Sequence, residues 1–125
     1  MKTINSILIA CLALTIASCG DKPAAEITKE ATTEVANGIS TSTFKVWGNC
    51  DMCKETIETS LKVDGIIKAD WNVDSKIMTV EFDIAKISLD QIQKHIAAVG
   101  YDNDTYKGDD KAYSELADCC QYDRK

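Results

Sequence analysis

Two hydrophobic spacings alternate along the middle of this chain, and their order limits the folds that it can adopt. Apolar residues two positions apart are typical of strands. They occur near residues 44–46, 67–73 and 78–82. Apolar residues three or four positions apart predict amphipathic helices over residues 51–62 and 89–99. With a last short strand predicted near residues 101–106, the order is strand, helix, strand, strand, helix, strand.

The connections between these elements indicate how they pair. The turn Asp74-Ser75-Lys76 is short, so the second and third strands are predicted to form an antiparallel hairpin. Ser88 suits the N-cap of the second helix, and Gly100 suits its end. This order of elements is that of the ferredoxin-like βαββαβ unit. We therefore predict an α+β fold, a four-stranded antiparallel sheet with two helices on one face.

The N-terminal segment predicts export from the cytoplasm. Residues 1–18 have a positive start and an apolar run over residues 7–17, which has the length of a signal-peptide hydrophobic region. A bilayer span needs about 20 apolar residues, so this run is too short to be one. Small residues precede Cys19, and the segment resembles a bacterial lipoprotein signal. We expect Cys19 to carry the lipid, which would anchor the chain in the bacterial envelope facing the periplasm. The alternative is an ordinary signal peptide that leaves Cys19 as a free thiol.

The remaining chain divides by composition into three parts. Residues 19–42 contain few large apolar side chains and are predicted to be a flexible stalk. Residues 43–108 are the predicted domain, and residues 109–125 are an acidic tail whose charges are expected to keep it extended. The formal net charge is −6, and no basic stripe interrupts it. An acidic surface repels phosphate backbones, so nucleic acid is excluded as a partner.

The cysteines outside residues 1–19 form two close pairs, which suits metal ligation or redox chemistry better than a distributed set of disulfides. The pairs are Cys50 with Cys53, and Cys119 with Cys120. Cys50 and Cys53 lie where the first strand meets the first helix, and the positive end of the helix dipole favours thiolates there. Soft thiolates prefer copper(I), zinc or mercury(II). Two local ligands suit copper(I) or mercury(II) better than zinc, which usually takes four.

Several motifs follow one another in an order that resembles the heavy-metal-associated domain family. They are Cys50-Asp51-Met52-Cys53, Asp64-Gly65, and Gly100-Tyr101. The resemblance covers about residues 43–107 and implies that Cys50 and Cys53 are the metal ligands, with Tyr101 beside the metal loop. One departure is Gly48, at a position where the family usually has methionine.

The resemblance also implies what the domain does. Members hold an ion and pass it on by ligand exchange, without catalysing a bond-breaking reaction. We therefore expect no enzyme activity, copper(I) as the ion with zinc or mercury(II) as alternatives, and a partner that is a metal-transporting membrane protein or another cysteine-bearing acceptor.

Other functions stay open for the same residues. Cys50 and Cys53 would serve a thiol-disulfide redox module if they formed a local disulfide. In a protein-interaction domain, the cysteines would be incidental. Cys119 and Cys120 are candidates for additional metal ligands, which would favour zinc or a sensing role, or they form a reactive tail. Because these two residues are adjacent, we expect their side chains to point in different directions.

Overall fold

A four-stranded antiparallel sheet carries two helices of ten residues each in this computed structural model, which describes residues 32–124. The strands are β1 (Thr32–Ala36), β2 (Ile39–Lys45), β3 (Ile66–Trp71) and β4 (Ile77–Asp83). The helices are α1 (Asp51–Ser60), α2 (Leu89–Ala98) and the short α3 (Asp110–Ser114), followed by a 3₁₀ turn at Asp118–Cys120. The predicted signal segment and Cys19 lie outside the described residues. No helix within residues 32–124 has the length and apolar character needed to span a bilayer.

The core lies between the sheet and the helices α1 and α2. Its fully buried side chains come from both layers: Phe44, Val46, Ile57, Leu61, Trp71, Met78, Val80, Ile92 and Ile96. Ser88 caps α2 as predicted, because its hydroxyl accepts the Gln91 N–H while the Gln91 side chain accepts the Ser88 N–H. The four-stranded antiparallel sheet with helices α1 and α2 confirms the predicted ferredoxin-like fold class.

The fourth strand of the sheet is not the one that we predicted. The sheet order is β1-β2-β4-β3, so β1 occupies the edge beside β2. The predicted strand near residues 101–106 is reduced to one bridge between Val46 and Asn103. The Asn103 side-chain oxygen accepts the N–H groups of Thr105 and Tyr106, and this turn bends the chain back before a strand can extend.

The β1–β2 hairpin falls in a region that we predicted to be a stalk. Asn37 and Gly38 connect the two strands with φ values of 52° and 80°, the left-handed backbone that two-residue hairpin turns require. The sheet therefore begins at Thr32, within the segment that we predicted to be a stalk and before the predicted start of the domain at residue 43. The missed signal was the Asn-Gly dipeptide between Val35 and Ile39.

The acidic segment that follows the predicted domain is folded, and our expectation of an extended tail is wrong. Tyr122 is buried, and its hydroxyl accepts the Asp102 N–H at 2.7 Å and donates to the Gly100 carbonyl at 2.8 Å. Arg124 donates to the buried Asp102 carboxylate at 2.8 Å. These contacts outweigh the mutual repulsion of the acidic side chains, which remain at the surface. We call residues 118–124 the C-terminal strap.

Candidate metal centre

Cys50 and Cys53 bring their sulfurs together at the start of α1, as the spacing predicted. Cys50 is the N-cap residue in an extended conformation, and Cys53 lies in the first helical turn. The two Sγ atoms are 3.6 Å apart. The Asn49 N–H donates to Cys53 Sγ over 3.3 Å. The Cys53 side chain is fully buried, whereas that of Cys50 is half-buried.

Gly48 explains how this loop approaches the core so closely. A Cβ atom at Gly48 would lie 2.8 Å from Cη2 of Trp71 and 3.3 Å from Cβ of Cys53. The Trp71 indole, whose Nε1 donates to the Val46 carbonyl at 3.1 Å, therefore occupies the space that a side chain would need. A methionine at this position, which the resemblance led us to expect, would collide with Trp71.

The electrostatics favour a thiolate at Cys50. Its pKa is lowered from 9.0 to about 7, chiefly because the Cys53 backbone N–H donates to the sulfur, with smaller contributions from the three neighbouring thiols. Partial burial opposes this shift. Since the thiolate is the form that binds metals and acts as a nucleophile, Cys50 is prepared for both roles near neutral pH.

The C-terminal strap brings the second cysteine pair to the same place. Cys50 Sγ lies 3.6 Å from Cys119 Sγ and 3.8 Å from Cys120 Sγ. The 3₁₀ turn places the two adjacent sulfurs 4.0 Å apart, so our expectation that they point in different directions is wrong. Cys119 is exposed and Cys120 is buried. All four of these cysteines are free thiols, and the Cys50 sulfur lies within 3.8 Å of each of the other three.

Tyr101 lies beside the buried sulfurs. Its side chain is fully buried, and among residues 32–124 its hydroxyl has no hydrogen-bond partner. Burial raises the pKa of Tyr101 far above its ordinary value, and the nearby Cys120 and Cys53 sulfurs raise it further. The phenol therefore stays protonated, and its O–H is available to a thiolate. This position agrees with the predicted place of Tyr101 beside the metal loop, while its role stays a prediction.

Two residues near the cluster were not singled out from the sequence. The Met52 thioether lies 3.6 Å from Cys119 Sγ, and the Met52 side chain is exposed. Tyr122 stacks on the Tyr101 ring at a centroid distance of 5.7 Å. The position of Met52 between the two cysteines was a usable signal. Nothing in the local sequence indicates that Tyr122 packs against Tyr101, because the contact depends on where the strap folds.

Comparison with known proteins agrees with this geometry. The model of the heavy-metal-associated domain matches residues 43–102. The chain is 36% identical over 66 residues to a protein named copper chaperone CopZ from Staphylococcus saprophyticus subsp. saprophyticus, which covers 51% of this chain and 97% of that protein. It is 33% identical over 55 residues to a CopZ of Staphylococcus aureus, covering 43% of this chain and 81% of the relative.

A solved structure supports the same grouping. The crystal structure of oxidised MerP from Ralstonia metallidurans is 33% identical, with a TM-score of 0.50 over 52% of this chain and 93% of MerP. The stretch matched by the family model contains Cys50 and Cys53 and ends at residue 102, before Cys119 and Cys120. This chain belongs to the heavy-metal-associated domain family, with a second cysteine pair outside the matched stretch.

Proposed function

We propose that this protein binds copper(I) on the thiolates of Cys50 and Cys53 and passes it to another protein by ligand exchange. The observation that carries the proposal is the convergence of the two sulfurs to 3.6 Å at the mouth of α1. The relatives named copper chaperones support copper as the ion. Soft thiolates bind copper(I) in preference to hard cations such as magnesium and calcium.

The unequal burial of the two sulfurs suits exchange. Cys53 is buried and holds the ion from the protein side, while the half-buried Cys50 is accessible to a partner. A partner thiolate forms a bond to the ion as the bond from Cys50 breaks, and a second partner ligand then replaces Cys53, so that both cysteines are left as thiolates. The copper stays in the +1 state and no electron moves. The protein therefore acts as a carrier and not as an enzyme.

The proposal extends to place and partner. The apolar run over residues 7–17 and the following Cys19 support a lipid-anchored carrier in the bacterial envelope. The acceptor would be a metal-transporting membrane protein or another protein that presents cysteine thiolates, because only a ligand of similar softness competes for the ion.

The test measures copper(I) affinity of the reduced full chain by competition with a chelator. We expect the double variant Cys50→Ser and Cys53→Ser to lose more than about 100-fold in affinity, the upper range seen when only residues that support metal ligands are replaced. Circular dichroism checks that the fold is retained. Wild-type affinity in the double variant would disprove the site.

Cys19→Ser is the matched control, because it removes a thiol outside the described domain. It should leave copper(I) affinity unchanged and should move the chain from the membrane fraction to the soluble fraction of a bacterial host. If the variant stayed in the membrane fraction, the proposed lipid anchor would be contradicted, and the copper-binding proposal would be unaffected.

A thiol-disulfide module is the competing function, and the low pKa of Cys50 beside a second thiol favours it. The same titration separates the two functions. A redox module predicts that the fully reduced chain exchanges disulfides with a small-molecule disulfide and binds copper(I) no better than the double variant does.

A further inference from the structure

The separation of Cys50 and Cys53 does not suit an ion with two ligands on opposite sides. With metal–sulfur bonds of about 2.3 Å, a linear site would need sulfurs roughly 4.6 Å apart. The observed separation is 3.6 Å. A bent pair leaves one side of the ion open, and a soft ion in that position has room for a further sulfur ligand.

The sulfurs of Cys50, Cys119 and Cys120 form a nearly regular triangle with edges of 3.6, 3.8 and 4.0 Å. The centre of such a triangle lies about 2.2 Å from each sulfur, close to the 2.3 Å thiolate bond length of zinc. All three atoms lie within 4.8 Å of one another. The triangle therefore has the size of a three-coordinate metal site.

The C-terminal strap is held in place by contacts that do not involve these sulfurs. The Tyr122 hydroxyl bonds to both the Asp102 N–H and the Gly100 carbonyl, and its ring packs edge-on against Tyr113 with centroids 5.2 Å apart. Arg124 reaches the Asp102 carboxylate. The strap's own contacts thus hold Cys119 and Cys120 beside the loop, which lowers the entropic cost of recruiting them as ligands.

A buried donor also faces this cluster. The Tyr101 hydroxyl has no hydrogen-bond partner among residues 32–124, although the side chain is fully buried. A buried hydroxyl without a partner costs free energy unless something accepts its proton. A metal-bound thiolate at the neighbouring Cys120 or Cys53 is such an acceptor.

We propose that Cys50, Cys119 and Cys120 form a three-thiolate holding site for copper(I), next to the transfer pair Cys50 and Cys53. This inference rests on the proposed function, because Cys50 is shared by both sites. The bound ion moves to the transfer pair when one bond to Cys53 forms and the bonds to Cys119 and Cys120 both break, which leaves two strap thiolates and keeps the copper in the +1 state. Release to a partner then requires the strap to give up the ion, so the strap slows transfer.

The main test replaces both strap cysteines in the reduced full chain, Cys119→Ser with Cys120→Ser. X-ray absorption should show three sulfur neighbours around copper(I) in the wild type and two in the variant. The variant should bind copper(I) at least about 10-fold more weakly, the lower range for loss of a group that only supports a ligand. It should also deliver the ion faster to a competing chelator.

A second variant leaves every thiol in place. Tyr122→Phe keeps the ring and removes both hydrogen bonds of the Tyr122 hydroxyl, so it should shift affinity and transfer rate in the same direction as the cysteine variant, by a smaller factor. Ser114→Ala in the neighbouring α3 is the matched control, because its hydroxyl bonds only the Lys111 carbonyl. It should behave as the wild type does.

The outcomes separate this inference from the proposed function. Two sulfur neighbours in the wild type, with unchanged affinity in the strap variant, would overturn the holding site while the carrier function stands. Unchanged affinity when Cys50 and Cys53 are replaced would overturn the carrier function. Four-sulfur coordination of zinc with no preference for copper(I) would overturn the three-sulfur assignment.

Discussion

The two cysteine pairs of this protein reach the same point by different physical routes. Each pair has one buried sulfur and one more accessible sulfur: Cys53 with Cys50, and Cys120 with Cys119. The first pair is positioned locally, because an N-cap residue and the first helical turn are adjacent in the chain. The second pair depends on a strap whose anchors, Asp102 and Gly100, lie some twenty positions away.

The first pair is therefore positioned by local contacts, and the second pair is positioned by long-range contacts. The first pair should keep its geometry as long as α1 packs on the sheet. The second pair should leave when the strap detaches, even though its own sequence is untouched. Variants that change one region and leave the other intact therefore test whether the two cysteine pairs are positioned independently.

The largest effect is expected when the anchor of the strap is removed. Asp102 is fully buried and accepts from Arg124 and from the Gly108 N–H at 2.7 Å. Asp102→Ala leaves the guanidinium without its buried partner, which should lower the free energy of unfolding by about 4 kcal/mol. Urea unfolding measures the loss, and alkylation should label Cys120 in the variant and spare it in the wild type.

Asp110→Ala is the control for this prediction. Asp110 also bonds Arg124, but its carboxylate is exposed. An exposed ion pair contributes about 0–1 kcal/mol, so Cys120 should stay protected. Equal losses in the two variants would show that the strap is not anchored through Asp102.

An intermediate effect is expected at the first pair. The Cβ atom introduced by Gly48→Ala would meet the Trp71 ring at 2.8 Å and push the loop away from the core. Overpacking of this kind should cost about 2 kcal/mol, and copper(I) affinity should fall because Cys53 moves with the loop. Chemical unfolding and chelator competition measure the two effects.

A double-mutant cycle with Trp71→Phe tests the cause of that loss. The smaller ring makes room for the new methyl group, so Gly48→Ala should cost less in this background than in the wild type. Equal costs in both backgrounds would mean that the indole does not set the requirement for glycine.

The smallest effect is expected at a residue that touches neither pair. Ser88→Ala removes the capping hydroxyl of α2, and its loss should lower the free energy of unfolding by about 1 kcal/mol. Copper(I) affinity and the alkylation of Cys120 should not change. A change in either would mean that the start of α2 is coupled to the cluster, and the two regions would not be independent.

The elements that we predicted correctly are each determined by residues close together in the chain. Hydrophobic spacing located α1 and α2, the Ser88 hydroxyl marked a helix start, and the Cys50–Cys53 spacing at a strand-to-helix junction brought two sulfurs together. The β1–β2 hairpin was equally local, and its Asn37-Gly38 turn was readable but was overlooked in a polar segment.

The strap could not be predicted for a different reason. Residues 109–124 contain five acidic side chains and one large aliphatic side chain, a composition typical of a solvated tail. Their docking depends on one tyrosine ring against Tyr101 and one guanidinium against a buried carboxylate. Neither contact leaves a periodic signal in the sequence.

The order of the helices and most of the strands, and the position of the Cys50–Cys53 pair, could be predicted from the amino-acid sequence, because each depends on residues within one or two turns of one another. The family could be identified because its short motifs follow one another in order along the chain. Tertiary contacts were needed to bring the sulfurs of Cys119 and Cys120 to that of Cys50. They were also needed to pair β2 with β4, which leaves β1, and not the segment after α2, at the edge of the sheet. Both are contacts between residues far apart in the chain. Their free energy comes from burial and hydrogen bonds that exist only after the chain has folded.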